Sequence, residues 1–147
     1  MTETETDSPT RVLFLCTHNS ARSQMAEGLL RALGEGGFAA FSAGTEVTRV
    51  NPLAIAAMDE IGMDIRGQHS KHLREFLAQP FDAVITVCDD ANESCPVFPG
   101  AASRLHWSLP DPSAAQGTDE ERLAAFRAVR DELRERLLPP LIAARRR

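Results

Sequence analysis

RVLFLCTHNSARSQMAEGLL, residues 11–30, passes from an unbroken apolar run through a polar turn into a helical pattern. Arg11–Cys16 is short and rich in strand formers, and its continuous hydrophobicity suits a central strand covered on both faces. Met25, Ala26, Leu29, Leu30 and Leu33 then recur at helical spacing until Gly34, Gly36 and Gly37 stop the pattern. This opening is a strand, a tight loop and a helix.

The same alternation continues along the chain. Phe38–Ala43 reads as a second strand, ended by Gly44. Asn51 before Pro52 is an N-cap with proline in the first turn, opening a helix that ends near Gly62. A short helix follows Ser70 and carries Leu73, Phe76 and Leu77. FDAVITV, Phe81–Val87, is the clearest strand and delivers Cys88 at its C-terminal end. Ser103–Trp107 is a fourth strand, leading into the loop LPDPS. Thr118 with Glu121 three residues on is a capping box. The helix it opens bears an apolar stripe of Leu123, Phe126, Val129, Leu133 and Leu137, and Pro139–Pro140 is expected to bend or end it. Strands alternating with helices give an α/β fold, a parallel sheet with helices on both faces. Ligands bind such sheets at the carboxyl ends of the strands. The loops from Cys16 and Cys88 and the loop holding Asp111 all fall there.

At 147 residues the chain fits one domain, read as residues 11–147 behind a polar, acidic leader, 1–10, expected to be disordered. That leader lacks the basic and apolar segments of a signal peptide, which places the protein in the cytoplasm. A net charge of −5, with basic residues scattered outside the Arg145–Arg147 tail, argues against a nucleic-acid partner. No run reaches the roughly 18 apolar residues of a membrane span. A monomer is expected. Three cysteines in a reducing compartment do not make a structural disulfide framework. Inert packing as small hydrophobes is the competing reading of each thiol.

The surroundings of Cys16 favour chemistry. Cys16-Thr-His-Asn-Ser-Ala-Arg22 is a C-x5-R loop between a buried strand and a helix. Five intervening residues let the chain curl until several backbone N–H groups, from Thr17, His18, Asn19, Ser20, Ala21 and Arg22, point at one centre. Those donors and the positive helix end favour a tetrahedral oxyanion, and the same field favours a thiolate at the loop's base. Arg22 adds a planar fork that grips two oxygens. Ser23 is placed to donate its hydroxyl toward the sulfur, and Asn19 to brace the loop. Asp111, in Pro-Asp-Pro, is either a turn element or a general acid for the leaving oxygen; beside the loop, the acid is favoured.

VLFLCTHNSARSQMAEGLL resembles the opening of the low-molecular-weight protein tyrosine phosphatase superfamily, and specifically its arsenate reductase branch. The likeness runs from about Arg11 to the final helix. It implies a four-stranded parallel sheet in the order 2-1-3-4 flanked by helices, with Cys16 as nucleophile, Arg22 and the loop amides as oxyanion site, and Asp111 as acid. Phosphatases of the family typically follow Asp-Pro with aromatics; here Ser113 and Ala114 follow, and the chain has no tyrosine. VCDDANESCP, with Cys88 and Cys95, resembles the redox segment of three-cysteine reductases recycled by thioredoxin. The resemblance therefore implies arsenate reduction in which a Cys16–Cys88 disulfide passes to Cys88–Cys95. No cofactor is bound, and electrons come from thioredoxin, or from glutaredoxin or a low-molecular-weight thiol. An aryl phosphatase and a non-catalytic thiol sensor are the alternatives.

Zinc is disfavoured because no C-x2-C pair is present, and His69 and His72 read as helix-surface residues. Some members of the branch hold potassium on residues matching Asn19, Glu27 and Ser42, with a fourth ligand that aligns with Lys71. A lysine there implies an ammonium in place of the metal and activity independent of potassium. Were Cys88–Cys95 helical, their Cα atoms would lie roughly 10 Å apart, beyond the limit of about 7 Å for a disulfide. Residues 88–98 are therefore expected to differ between the reduced and oxidised forms.

Overall fold

The computed structural model describes residues 8–89 and 97–145. β1 (Thr10–Cys16), β2 (Phe38–Gly44), β3 (Phe81–Thr86) and β4 (Ala101–His106) form one parallel sheet in the order β2-β1-β3-β4. The most apolar strands are central because only there are both faces covered. Val12 and Phe14 face one side, Leu13 and Leu15 the other, and all four are fully buried. β4 lies at the edge and is largely exposed.

Helices α1 (Arg22–Leu33), α2 (Pro52–Asp59), α3 (Asp119–Glu132) and α4 (Leu138–Arg145) share one core with Val12 and Phe14. Met25, Leu29, Leu30, Met58, Phe126, Leu133 and Leu138 fill it. The opposite face carries a smaller core. A 3-10 turn, Leu73–Phe76, stands where the short helix was expected, and Phe41, Phe76, Phe81 and Phe98 meet there edge to face at 5.6–5.8 Å between ring centres. Such pairs contribute about 0.5–1.5 kcal/mol each beyond area burial. Among the described residues, the long helices therefore lie on one side, and aromatic packing closes the other.

The caps follow the local chemistry. Asn51 accepts from the Leu53 N–H, and Thr118 and Glu121 form both halves of their capping box. Two boundaries differ from the sequence reading. Strand β1 begins inside the stretch read as a 1–10 leader. Thr10 pairs with Phe38 and donates its N–H to the Gly37 carbonyl at 2.9 Å, while the Ser8 carbonyl accepts from Arg145. Pro139–Pro140 does not end the last helix. A π turn at Leu133–Leu137 widens the spiral just upstream, relieving the clash that each proline ring would otherwise make with a preceding carbonyl. The chain then stays helical to Arg145.

Candidate active site

β1 and β3 are neighbours in register, Leu15 opposite Thr86, and the Val87 N–H donates to the Leu15 carbonyl at 2.9 Å. Cys16 and Cys88 thus leave adjacent strands at the same sheet edge. Both are buried thiols in the same core. Cys95 and residues 90–96 lie outside the described residues, so the expected rearrangement across 88–98 does too.

The loop after Cys16 is held by its carbonyls. Thr17 O accepts from the Thr45 and Glu46 N–H groups, each at 2.9 Å. His18 O accepts from the hydroxyls of Ser70 and Thr48, Asn19 O from Gln24 Nε2 at 3.0 Å, and Ser20 O from the Asn51 N–H at 2.9 Å. Ala21 O takes the first helical bond, from Met25. With each carbonyl engaged on the outside of the curl, the amide edges turn inward. α1 has no side-chain N-cap, unlike α2 and α3, so its positive end opens onto the loop's centre.

A relay of hydrogen bonds ends on the sulfur. The Lys71 N–H donates to Asn19 Oδ1 at 2.8 Å, and Asn19 Nδ2 donates to Ser23 Oγ at 2.8 Å. Ser23 Oγ lies 2.9 Å from Cys16 Sγ. Because that oxygen already accepts from Asn19, its own proton is available to a thiolate. The Asn19 N–H also donates to Cys16 Sγ at 3.2 Å, and Asn19 sits at φ 50°, a left-handed conformation that asparagine tolerates better than most residues. Gly44 is required for a different reason. A Cβ there would stand 2.6 Å from Thr17 O and 2.9 Å from Cys16 O.

The candidate residues fall into two groups. Cys16, His18, Ser20, Ala21, Arg22 and Asp111 line one narrow recess together with Ser113. Asn19 and Ser23 are fully buried and act from behind, and the Thr17 carbonyl turns outward. The Arg22 side chain is 3% exposed; it donates to the Leu109 carbonyl at 3.0 Å and comes within 4.0 Å of Asp111 Oδ2. It thereby joins the loop to the segment carrying Asp111. Asp111 caps a 3-10 turn, Pro112–Ala114, at the border of a wider groove of about 870 Å³ lined partly by Asp89, Ala114, Ala128 and Glu132.

Behind the loop lies an ionic cluster in which Glu27 and Lys71 are buried and Arg31 is exposed. Glu27 accepts from Ser42 Oγ at 2.5 Å and from Arg31 at 2.6 Å. Lys71 Nζ is 4.0 Å from Glu27 Oε1 and donates to the His69 carbonyl at 2.6 Å. Burial holds the Lys71 ammonium below the usual lysine range, against the pull of Glu27. One carboxylate here already answers two cations, so these residues do not fit an additional metal cation. His69 is exposed, and His72 uses its ring to cap the 3-10 turn at Leu73.

Gln24, Ser70, Thr48, Gly44 and Ser113 carry no sign in the sequence of a part in the site. All but Gln24 and Ser113 act on the loop across more than twenty positions, where no local pattern signals a contact. Residues 11–144 match the family described as Low molecular weight phosphotyrosine protein phosphatase. An arsenate reductase of Halalkalibacterium halodurans is 47% identical over 126 residues, 86% of this chain and 91% of that protein. A glutaredoxin arsenate reductase of Synechocystis is 41% identical over 86% of this chain and 92% of its own length. A solved structure described as an arsenate reductase in the phosphate binding state superposes with a TM-score of 0.77 at 41% identity, covering 92% of this chain and 98% of that one. The chain belongs to the low molecular weight phosphotyrosine protein phosphatase family, among relatives that are arsenate reductases.

Proposed function

We propose that this protein reduces arsenate to arsenite. The observation that carries the reading is the pairing of an oxyanion loop with a second buried thiol, Cys88, on the adjacent strand end. A hydrolase needs only the loop.

Cys16 attacks arsenic as a thiolate, a sulfur–arsenic bond forms, and one arsenic-bound oxygen leaves as water on a proton from Asp111. Cys88 then attacks the Cys16 sulfur. The electron pair of the sulfur–arsenic bond stays on arsenic, which leaves as arsenite, and a Cys16–Cys88 disulfide remains. Cys95 attacks Cys88, frees Cys16, and leaves a Cys88–Cys95 disulfide for an external dithiol. Thioredoxin is the proposed donor, and the reducing cytoplasm the proposed compartment. The name of the Synechocystis relative makes glutaredoxin the donor to test beside it.

Steady-state turnover with arsenate, NADPH, thioredoxin and thioredoxin reductase tests the proposal, with glutaredoxin and glutathione substituted in parallel. Cys88→Ser and Cys95→Ser should each abolish multiple turnover and leave slow aryl-phosphate hydrolysis within about threefold, since water resolves that adduct. Full arsenate turnover without Cys88 would sink the cascade. Hydrolysis without any arsenate reduction would favour the phosphatase reading.

A further inference from the structure

Asp111 is oriented by a neighbour that the reaction steps above do not use. Both the N–H and the hydroxyl of Ser113 donate to Asp111 Oδ1, at 3.0 and 2.7 Å. The other oxygen, Oδ2, is the one 4.0 Å from Arg22, and Ser113 lines the same recess as Cys16 and Arg22. Pro112 is buried at the head of the turn and holds its backbone. Two donors on one carboxyl oxygen occupy its lone pairs and favour the proton on the other. Here that other oxygen is on the side of the anion loop.

We propose that Ser113 is a positioning residue for the general acid, reserving Oδ1 so that the transferable proton resides on Oδ2 and faces the oxygen leaving arsenic. The proposal rests on the acid role given to Asp111 above. The N–H bond to Oδ1 survives substitution of Ser113, because it belongs to the turn. The hydroxyl bond does not, and without it the carboxyl can rotate or accept its proton on the wrong oxygen. The hydroxyl therefore acts on chemistry rather than on arsenate binding.

The test is a single-turnover experiment on the full, pre-reduced chain with saturating arsenate, following loss of free thiols and release of arsenite. Ser113→Ala should slow the rate about tenfold, the scale of one well-placed hydrogen bond, with the arsenate concentration for half-saturation unchanged within about twofold. Ser113→Thr, which keeps the hydroxyl, should recover most of that loss. Asp111→Asn should cost about a hundredfold or more, and adding Ser113→Ala to it should cost nothing further, because the acid through which Ser113 acts is gone. A wild-type rate for Ser113→Ala overturns the proposal. So does a second tenfold loss in the Asp111→Asn background, or an effect confined to half-saturation, since either would make the serine merely structural. A wild-type rate for Asp111→Asn alone overturns the acid itself and the serine's role with it, a result distinguishable from failure of the serine alone.

Discussion

The Cys16 loop and the Asp111 loop face each other across one recess, yet they are held in opposite ways. The first is held from outside. Its carbonyls bind donors from residues 45–51, from Ser70 and from Gln24, and its sulfur ends a relay that begins at the Lys71 amide. The second is held largely from within, by bonds of Ser113, Ala114 and Ala115 to Asp111 and Pro112, with long-range ties at Leu109 to Arg22 and Cys88. An oxyanion site works by fixed dipoles, which lose their value if they must reorganise during reaction. In the proposed mechanism, an acid on such a turn needs only its own geometry.

The contrast breaks most severely at Gly44. Replacing it with alanine puts a methyl against two loop carbonyls at distances no carbon can hold, so β2 or the loop must move. Arsenate kcat/KM should fall about a hundredfold or more, the scale expected when a catalytic group is displaced by about 1 Å, and stability should fall by about 1–3 kcal/mol. Thermal denaturation and turnover of Gly44→Ala measure both. Near-native activity would mean that the loop gives way as easily as the turn at Asp111.

What the sequence discloses divides along the same line. Features encoded within a few residues were legible: the run before Cys16, the C-x5-R spacing, Asn51 before Pro52 and the Thr118–Glu121 box, whereas the 2-1-3-4 sheet order came from the resemblance. Thr10 was read as leader because strand pairing depends on Phe38 and Gly37, which a local pattern does not include. Pro139–Pro140 leaves a bend and an end of the helix both open in sequence, because the π turn that accommodates it is a backbone adjustment with no residue signature. Asn19 and Ser23 were legible as supports within the loop, but its long-range braces were invisible for the simplest reason. Thr48, Ser70 and the Lys71 amide lie 30 to 52 positions from their partners, and only the folded sheet edge brings them together.

A smaller effect is expected behind the Asp111 side of the recess, where α3 is fastened to α2. Glu60 accepts from Arg127 and Arg130, and Arg130 also donates to the Ala57 carbonyl. The hydrogen bond from Arg127, then that from Arg130, lower the Glu60 carboxyl pKa to about 2, below the ordinary value of 4.5. A depressed acid stabilises the fold above its unfolded value and loses that contribution as the pH falls through its folded one. Glu60→Gln should therefore melt slightly lower than wild type at neutral pH, with the gap closing between about pH 4.5 and 2. Because Glu60 is exposed, solvent screening keeps the gap small. A gap that persisted unchanged at pH 2 would remove the carboxylate as its cause.

The smallest predicted effect is none, and it concerns what backs the rigid loop. Glu27 is answered by Arg31 at 2.6 Å and by Lys71 at 4.0 Å, while the Lys71 amide feeds the relay to Cys16. One residue thus supplies both a buried positive charge and a hydrogen bond to the loop's brace. With two covalently tethered cations on one carboxylate, a dissolved cation has no unbalanced charge to neutralise there. Arsenate turnover measured at constant ionic strength with sodium in place of potassium should stay within about twofold, since screening by the two salts is alike. A large loss of rate in sodium would mean that a metal ion, rather than Lys71, completes the support of the Cys16 loop.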